Sequence, residues 1–177
     1  MNAVPHPRQP LLSEISRNKK WALLARHLPV ASKVLEIGPG DGWFTDRLRS
    51  AGHYVTTIDL HPPADVIGDV QDWRTLPLDA GSFDVVVALE VIEHVDCVAA
   101  IEGLCKPHGL IFLSSPHPQW DWVMKILETM RLTQKRTSPH NNLVDFLTLP
   151  WLPIRVDRPA GIHQIGLFLN SHRNTTG

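Results

Sequence analysis

One short stretch, Glu36-Ile37-Gly38-Pro39-Gly40-Asp41-Gly42, constrains this chain more than any other. It follows an apolar run, Lys33-Val34-Leu35-Glu36-Ile37, and precedes a stretch from Trp43 to about Ser50 that ends before Gly52. The pattern reads as a buried strand turning into a helix. Glycine tolerates positive φ and carries no Cβ, so the backbone can bend sharply and a ligand can come close. A glycine-rich turn without any ligand would have the same composition. Two nucleotide loops fail on spacing. A dinucleotide fingerprint needs a third small residue where Trp43 stands, and a phosphate-binding Walker loop needs Gly-Lys-Ser/Thr, which is absent.

The same rhythm repeats downstream. Tyr54 to Ile58 is a β-branched run ending at Asp59, Asp65 to Asp69 is a shorter one, and Phe83 to Leu89 is strongly apolar and ends at Glu90. A helix is expected from Val91 to about Leu104, then a strand from Leu110 to Ser114. Upstream, Asn18 can cap a helix from Lys19 to Leu28, behind a flexible arm over residues 1–12. Beyond Pro118, Trp122, Val123, Ile126, Leu127 and Met130 recur at helical spacing. Ile154 to Val156 and Ile162 to Leu169 suit a closing hairpin. Strands alternating with helices at these intervals imply an α/β fold: a doubly wound, Rossmann-like, mostly parallel sheet with helices on both faces and an antiparallel closing strand. Residues 1–177 read as a single domain, with 116–150 on the substrate side. Ligands of such sheets lie beyond the carboxyl ends of the strands. Those ends carry Gly38, Asp59, Asp69, Glu90 and Ser115.

Composition narrows the function class. With 43% hydrophobic and 20% charged residues the chain is globular, and a net charge of -1 gives no general attraction to nucleic acid or anionic lipid. No apolar run nears the roughly 20 residues needed to cross a bilayer. Met1 to Pro10 lacks the apolar core of a signal peptide, so a cytoplasmic location is expected. Cys97 and Cys105 fall within the helix expected after Glu90, about 12 Å apart, too far for a disulfide.

The loop with its flanks, Val34-Leu35-Glu36-Ile37-Gly38-Pro39-Gly40-Asp41-Gly42, resembles the first motif of class I S-adenosylmethionine-dependent methyltransferases, and the resemblance extends over about residues 33–118. It implies that Glu36, Gly38, Gly40, Asp59, Leu60, Asp69, Val70 and Glu90 surround S-adenosyl-L-methionine. Asp59 matches the acid that holds both ribose hydroxyls, and Asp69 the position contacting the adenine amino group. The segment Ser82 to Val95 is similar to the fourth motif, and Lys106-Pro107-His108-Gly109 stands where relatives often have Lys-Pro-Gly-Gly. The chemistry agrees. A carboxylate accepts two hydroxyl bonds in a fork, strengthened by its charge. The ligand carries a sulfonium and no phosphate, which suits an acidic rim of Glu36, Asp41, Asp59, Asp69 and Glu90 and a loop without lysine.

Glu90, Glu93 and His94, spaced i, i+3, i+4, would share one side of a helical turn. Two oxygens and an imidazole can ligate Mg²⁺ or Mn²⁺. The string is similar to that in small-RNA 3′-end 2′-O-methyltransferases, where it binds metal with a further histidine, and to that in quinone-biosynthesis O-methyltransferases. Carboxylates favoured by a helix N-terminus, and a histidine lining a pocket, are the plainer account. His117, His140 and His163 are candidate further ligands. His94 and His117 are also candidate catalytic bases or acceptor contacts, although transfer from a sulfonium to a good nucleophile requires only alignment and exclusion of water.

The expected function is methyl transfer from S-adenosylmethionine to an O, N or C nucleophile of a small-molecule acceptor, with no nucleic acid or membrane partner. Two alternatives stay open: a binding protein that keeps the fold without turnover, and a metal-assisted O-methyltransferase acting on RNA or a catechol-like group. The acceptor and the oligomeric state are not legible. Replacing Asp59 with alanine is expected to weaken S-adenosylmethionine binding at least tenfold, about 1.4 kcal/mol; equal affinities by calorimetry would remove Asp59 from the cofactor site.

Overall fold

The computed structural model describes residues 11–116, 144–159 and 163–171. His117, His140 and the helical spacing after Pro118 lie outside them, as do residues 1–10 of the expected arm. Among the described residues the chain forms α1 (Leu11–Ala25), β1 (Lys33–Ile37), α2 (Trp43–Ser50), β2 (Tyr54–Asp59), β3 (Val66–Ile67) and a 3-10 segment (Val70–Thr75). Then follow β4 (Phe83–Leu89), α3 (Val98–Leu104), β5 (Cys105–Pro116), β6 (Leu152–Asp157) and β7 (His163–Leu169). The strands make one seven-stranded sheet in the order β3-β2-β1-β4-β5-β7-β6. The first five are parallel; β7 runs antiparallel between β5 and β6. The closing hairpin is thus present and compact.

Alternation along the central strands sorts the core into two layers. Val34, Val85 and Val87 pack with Leu24 of α1, Phe44 and Leu48 of α2, and Phe112. Leu35, Ile37, Val86 and Ala88 face the other way, onto Trp73, Ile101 and Leu104. Strands buried on both faces favour apolar residues at every position, which is why these strands read as nearly continuous apolar runs, Glu36 of β1 being the exception.

Several boundaries differ from the sequence expectation. The first helix starts by Leu11, so Leu11 and Leu12 do not belong to an arm. Asn18 lies inside it, and its side chain accepts a bond from Arg47 Nη1 at 2.8 Å instead of capping. The third strand shrinks to Val66–Ile67 because the Asp65 side chain turns back onto Thr57, accepting from its backbone N–H at 2.8 Å and its hydroxyl at 2.9 Å. The helix expected from Val91 begins only at Val98. Glu90 holds φ at 58° with its N–H donating to Ser114 O at 2.8 Å, and the residues after it form only a turn closed onto Val91 O. Cys97 and Cys105 therefore flank α3 instead of lying within it, and burial pushes both free thiols up to about 12. No helix among the described residues is long and apolar enough to cross a membrane.

His108 is exposed and holds φ at 60°, while its N–H donates to Asn170 O at 2.9 Å. A Cβ in this region is unfavourable by about 1–2 kcal/mol, partly offset by the extra freedom glycine has when unfolded. The His108→Gly variant is expected to be more stable by about 0.5–1 kcal/mol; a lower chemical-denaturation midpoint would show that the imidazole contributes more than the strain it imposes.

Candidate active site

The strand order reverses between β1 and β4, whose carboxyl ends lie side by side, Ile37 paired with Ala88. The glycine loop leaves β1 there, with φ of 66° at Gly38, 56° at Gly40 and 76° at Gly42. The Gly38 N–H donates to Ile58 O at 2.9 Å, which binds the loop to β2. A Cβ on Gly38 would lie 2.7 Å from Val91 Cγ2, so this glycine lets the segment leaving β4 pack against the loop. A Cβ on Gly40 would meet nothing within 4 Å. Gly40 thus presents bare backbone to open space.

Two acids follow at the ends of the neighbouring strands β2 and β3. Asp59, the last residue of β2, accepts from the His61 N–H at 3.0 Å through Oδ1. Asp69 does the same for Gln71 at 2.9 Å. Each turn holds its carboxylate in place through one oxygen, and no partner among the described residues takes the other. Leu60 beside Asp59 is 59% exposed, whereas the Val70 side chain is buried in the core. Two hydroxyls and an amine of an adenosyl group match the donors such oxygens lack.

The acidic rim expected from sequence is smaller than its count of carboxylates. Glu36 is buried at 2% exposure on the face shared with α2, where its Oε2 accepts from the Thr45 hydroxyl. Burial raises its pKa to about 7, against the lowering effect of Thr45. Asp41 is paired with Arg17 of α1 at 2.6 Å. Glu90 Oε1 lies 2.7 Å from Lys20 Nζ and accepts from Ser114 Oγ at 2.7 Å, with His163 Nδ1 at 3.6 Å. Burial disfavours the Glu90 charge, but Lys20 and His163 outweigh it and hold the carboxyl below the usual range. Glu93 is fully buried, and desolvation together with the Glu90 charge pushes it upward.

Glu90, Glu93 and His94 do not share a helical face. Glu90 ends in a left-handed turn, and the His94 N–H closes a single turn onto Val91 O at 2.8 Å. Among the described residues no group of three histidine, cysteine, aspartate or glutamate side chains converges as a metal site. His94 stays half-buried beside the site. Arg17, Lys20 and Thr45 escaped the sequence reading. For Lys20 the available signal was its place four residues ahead of Leu24, which puts a lysine on the buried stripe of α1.

A family model described as a methyltransferase domain matches residues 8–153. The chain belongs to this family. Within it, the sheet order and glycine loop are those of the class I S-adenosylmethionine-dependent methyltransferases. The chain is 33% identical over 109 residues to a ubiquinone biosynthesis O-methyltransferase of Xanthomonas axonopodis pv. citri, a match covering 51% of this chain and 46% of that one. A counterpart from Nitrosococcus oceani is 33% identical over 129 residues, 62% of this chain and 51% of the relative. The match thus spans about half the length of these relatives. The geranyl diphosphate C-methyltransferase of Streptomyces coelicolor A3(2), solved with Mg²⁺, geranyl diphosphate and S-adenosyl-L-homocysteine, shares the fold. Its TM-score is 0.58 at 15% identity, over 89% of this chain and 82% of that one.

A raised carboxyl pKa in the folded chain means that stability from protonated Glu36 is complete below about pH 4.5 and is lost as pH rises through about 7. Because the shift runs from 4.5 to about 7, the loss attributable to Glu36 is roughly 3 kcal/mol. Relative to wild type, Glu36→Gln is therefore expected to gain stability between pH 5 and pH 8. Parallel denaturation curves for the two proteins across that range would contradict it.

Proposed function

We propose that this chain transfers a methyl group from S-adenosyl-L-methionine to a nucleophilic atom of a small molecule, with oxygen the atom best supported. The observation that carries the reading is the glycine loop, unfilled at Gly40, leaving β1 where the strand order reverses, together with the turn-held carboxylates of Asp59 and Asp69 at the ends of the adjoining strands β2 and β3. The names of the relatives, O-methyltransferases of ubiquinone biosynthesis, support an oxygen acceptor.

In this reading Gly40 lets the backbone lie against the bound adenosyl compound, Asp59 takes the ribose hydroxyls, and Asp69 takes the adenine amine. Gly38 and Glu36 hold the loop in shape, one by admitting Val91 and the other through Thr45. Leu60 covers the adenosine from its exposed position, and Val70 supports it from the core. Glu90 forms the wall on the β4 side. Bound S-adenosylmethionine supplies an electrophilic methyl carbon, which bonds to the acceptor's lone pair as the carbon–sulfur pair returns to sulfur and the acceptor's proton leaves to water. His94, and His117 from the sequence beyond β5, are the candidates for orienting the acceptor; neither has to be a strong base.

Incubation with methyl-labelled S-adenosylmethionine and a panel of phenolic and catecholic acceptors is expected to yield labelled product and S-adenosylhomocysteine in equal amounts. Gly40→Val, which adds a branched side chain at positive φ in the open space, is expected to weaken cofactor binding by about tenfold or more. Cofactor binding without transfer to any acceptor would favour a non-catalytic binding protein. Loss of transfer in chelator, restored by Mg²⁺ or Mn²⁺, would favour the metal-assisted route.

A further inference from the structure

Lys20 sits on the buried stripe of α1, one turn ahead of Leu24, with its side chain 9% exposed. Its ammonium meets Glu90 Oε1 at 2.7 Å across 70 residues of sequence. A charge in that position is strongly destabilising unless paired, so docking α1 on the sheet commits Lys20 to Glu90. Three residues earlier Arg17 reaches Asp41 in the glycine loop at 2.6 Å. The first helix therefore carries two cations to two carboxylates, one in the loop leaving β1 and the other in the segment leaving β4. Glu90 belongs to the wall itself, since the next residue, Val91, packs directly on Gly38.

We propose that Lys20 is a positioning residue of the cofactor site: by neutralising Glu90 it sets how strongly the site distinguishes the sulfonium substrate from the thioether product. The inference rests on S-adenosylmethionine occupying this crevice. Substrate and product share their adenosine and amino acid and differ by one methyl group and one positive charge. A Lys–Glu pair acts on that charge as a dipole, whose field fades faster with distance than that of a lone carboxylate. Methyl transfer discharges sulfur, so an uncompensated anion beside it would hold the charged ground state more tightly than the transition state. Lys20 prevents this while leaving Glu90 in place, its oxygen oriented by Ser114.

The test is the ratio of dissociation constants, S-adenosylhomocysteine over S-adenosylmethionine, measured by calorimetry at pH 7.5 and low salt. In Lys20→Met the ratio is expected to rise about three- to tenfold above wild type, and Lys20→Arg to return it to within about twofold of wild type. Glu90→Gln, which keeps the side-chain shape, is expected to move the ratio in the opposite direction and carries the test if Lys20→Met does not fold. High salt should shrink both effects. A structural role alone would weaken both ligands equally; an unchanged ratio in whichever variants fold would overturn the proposal. Failure of the wild type to bind either compound would instead overturn the cofactor assignment beneath it.

Discussion

The parallel pairing of β1 with β4 is the constraint on which the rest of this molecule depends. Val34 to Ile37 align with Val85 to Ala88, and all of these except Glu36 are apolar. The chain passes to one face of the sheet after β1, through α2, and to the other after β4, through α3. Two connections leaving adjacent strands in opposite directions cannot fill the space above the strand ends. The crevice is a consequence of topology. Gly38 lets its two walls touch at the base, and Gly40 keeps the backbone of one wall bare above it.

Around that crevice the charges are more balanced than a count of acids suggests. Glu36 faces inward onto Thr45, in surroundings that raise its pKa to about 7. Asp41 and Glu90 are paired with cations from α1. Asp59 and Asp69 are anchored in tight turns by one oxygen each. The result is a division of labour among carboxylates that share a rim in sequence. Two are presented for hydrogen bonding, two are compensated, and one supports the loop from beneath. For a ligand whose charge disappears during the reaction, compensation matters as much as attraction, because binding energy that is equal in ground and transition states does not accelerate the step.

The strands were legible in the sequence because each is short, apolar and bounded by turn residues: β1, β2, β4 and α2 fall where the pattern puts them. The glycine loop and the acids at the strand ends were legible for the same reason, since their meaning depends on position along the chain. The segment after Glu90 was misread. Its residues have helical spacing, but Glu90 adopts a left-handed backbone, held by its N–H to Ser114 O at 2.8 Å, and that bond comes from a strand not yet formed when only local sequence is considered. The start of α1 was missed because a cap-like asparagine in sequence turned out to reach a neighbouring helix.

What the sequence determined by itself is the architecture and the positions of the glycine loop and the strand-end acids, because periodicity and turn chemistry act over a few residues. What only the tertiary structure decided is which charges meet. Lys20 and Glu90 are 70 residues apart, and neither has a local feature that names the other. Their contact follows from burying the apolar stripe of α1 on the sheet. A buried lysine must then take the carboxylate within its reach, because desolvation penalises any other arrangement.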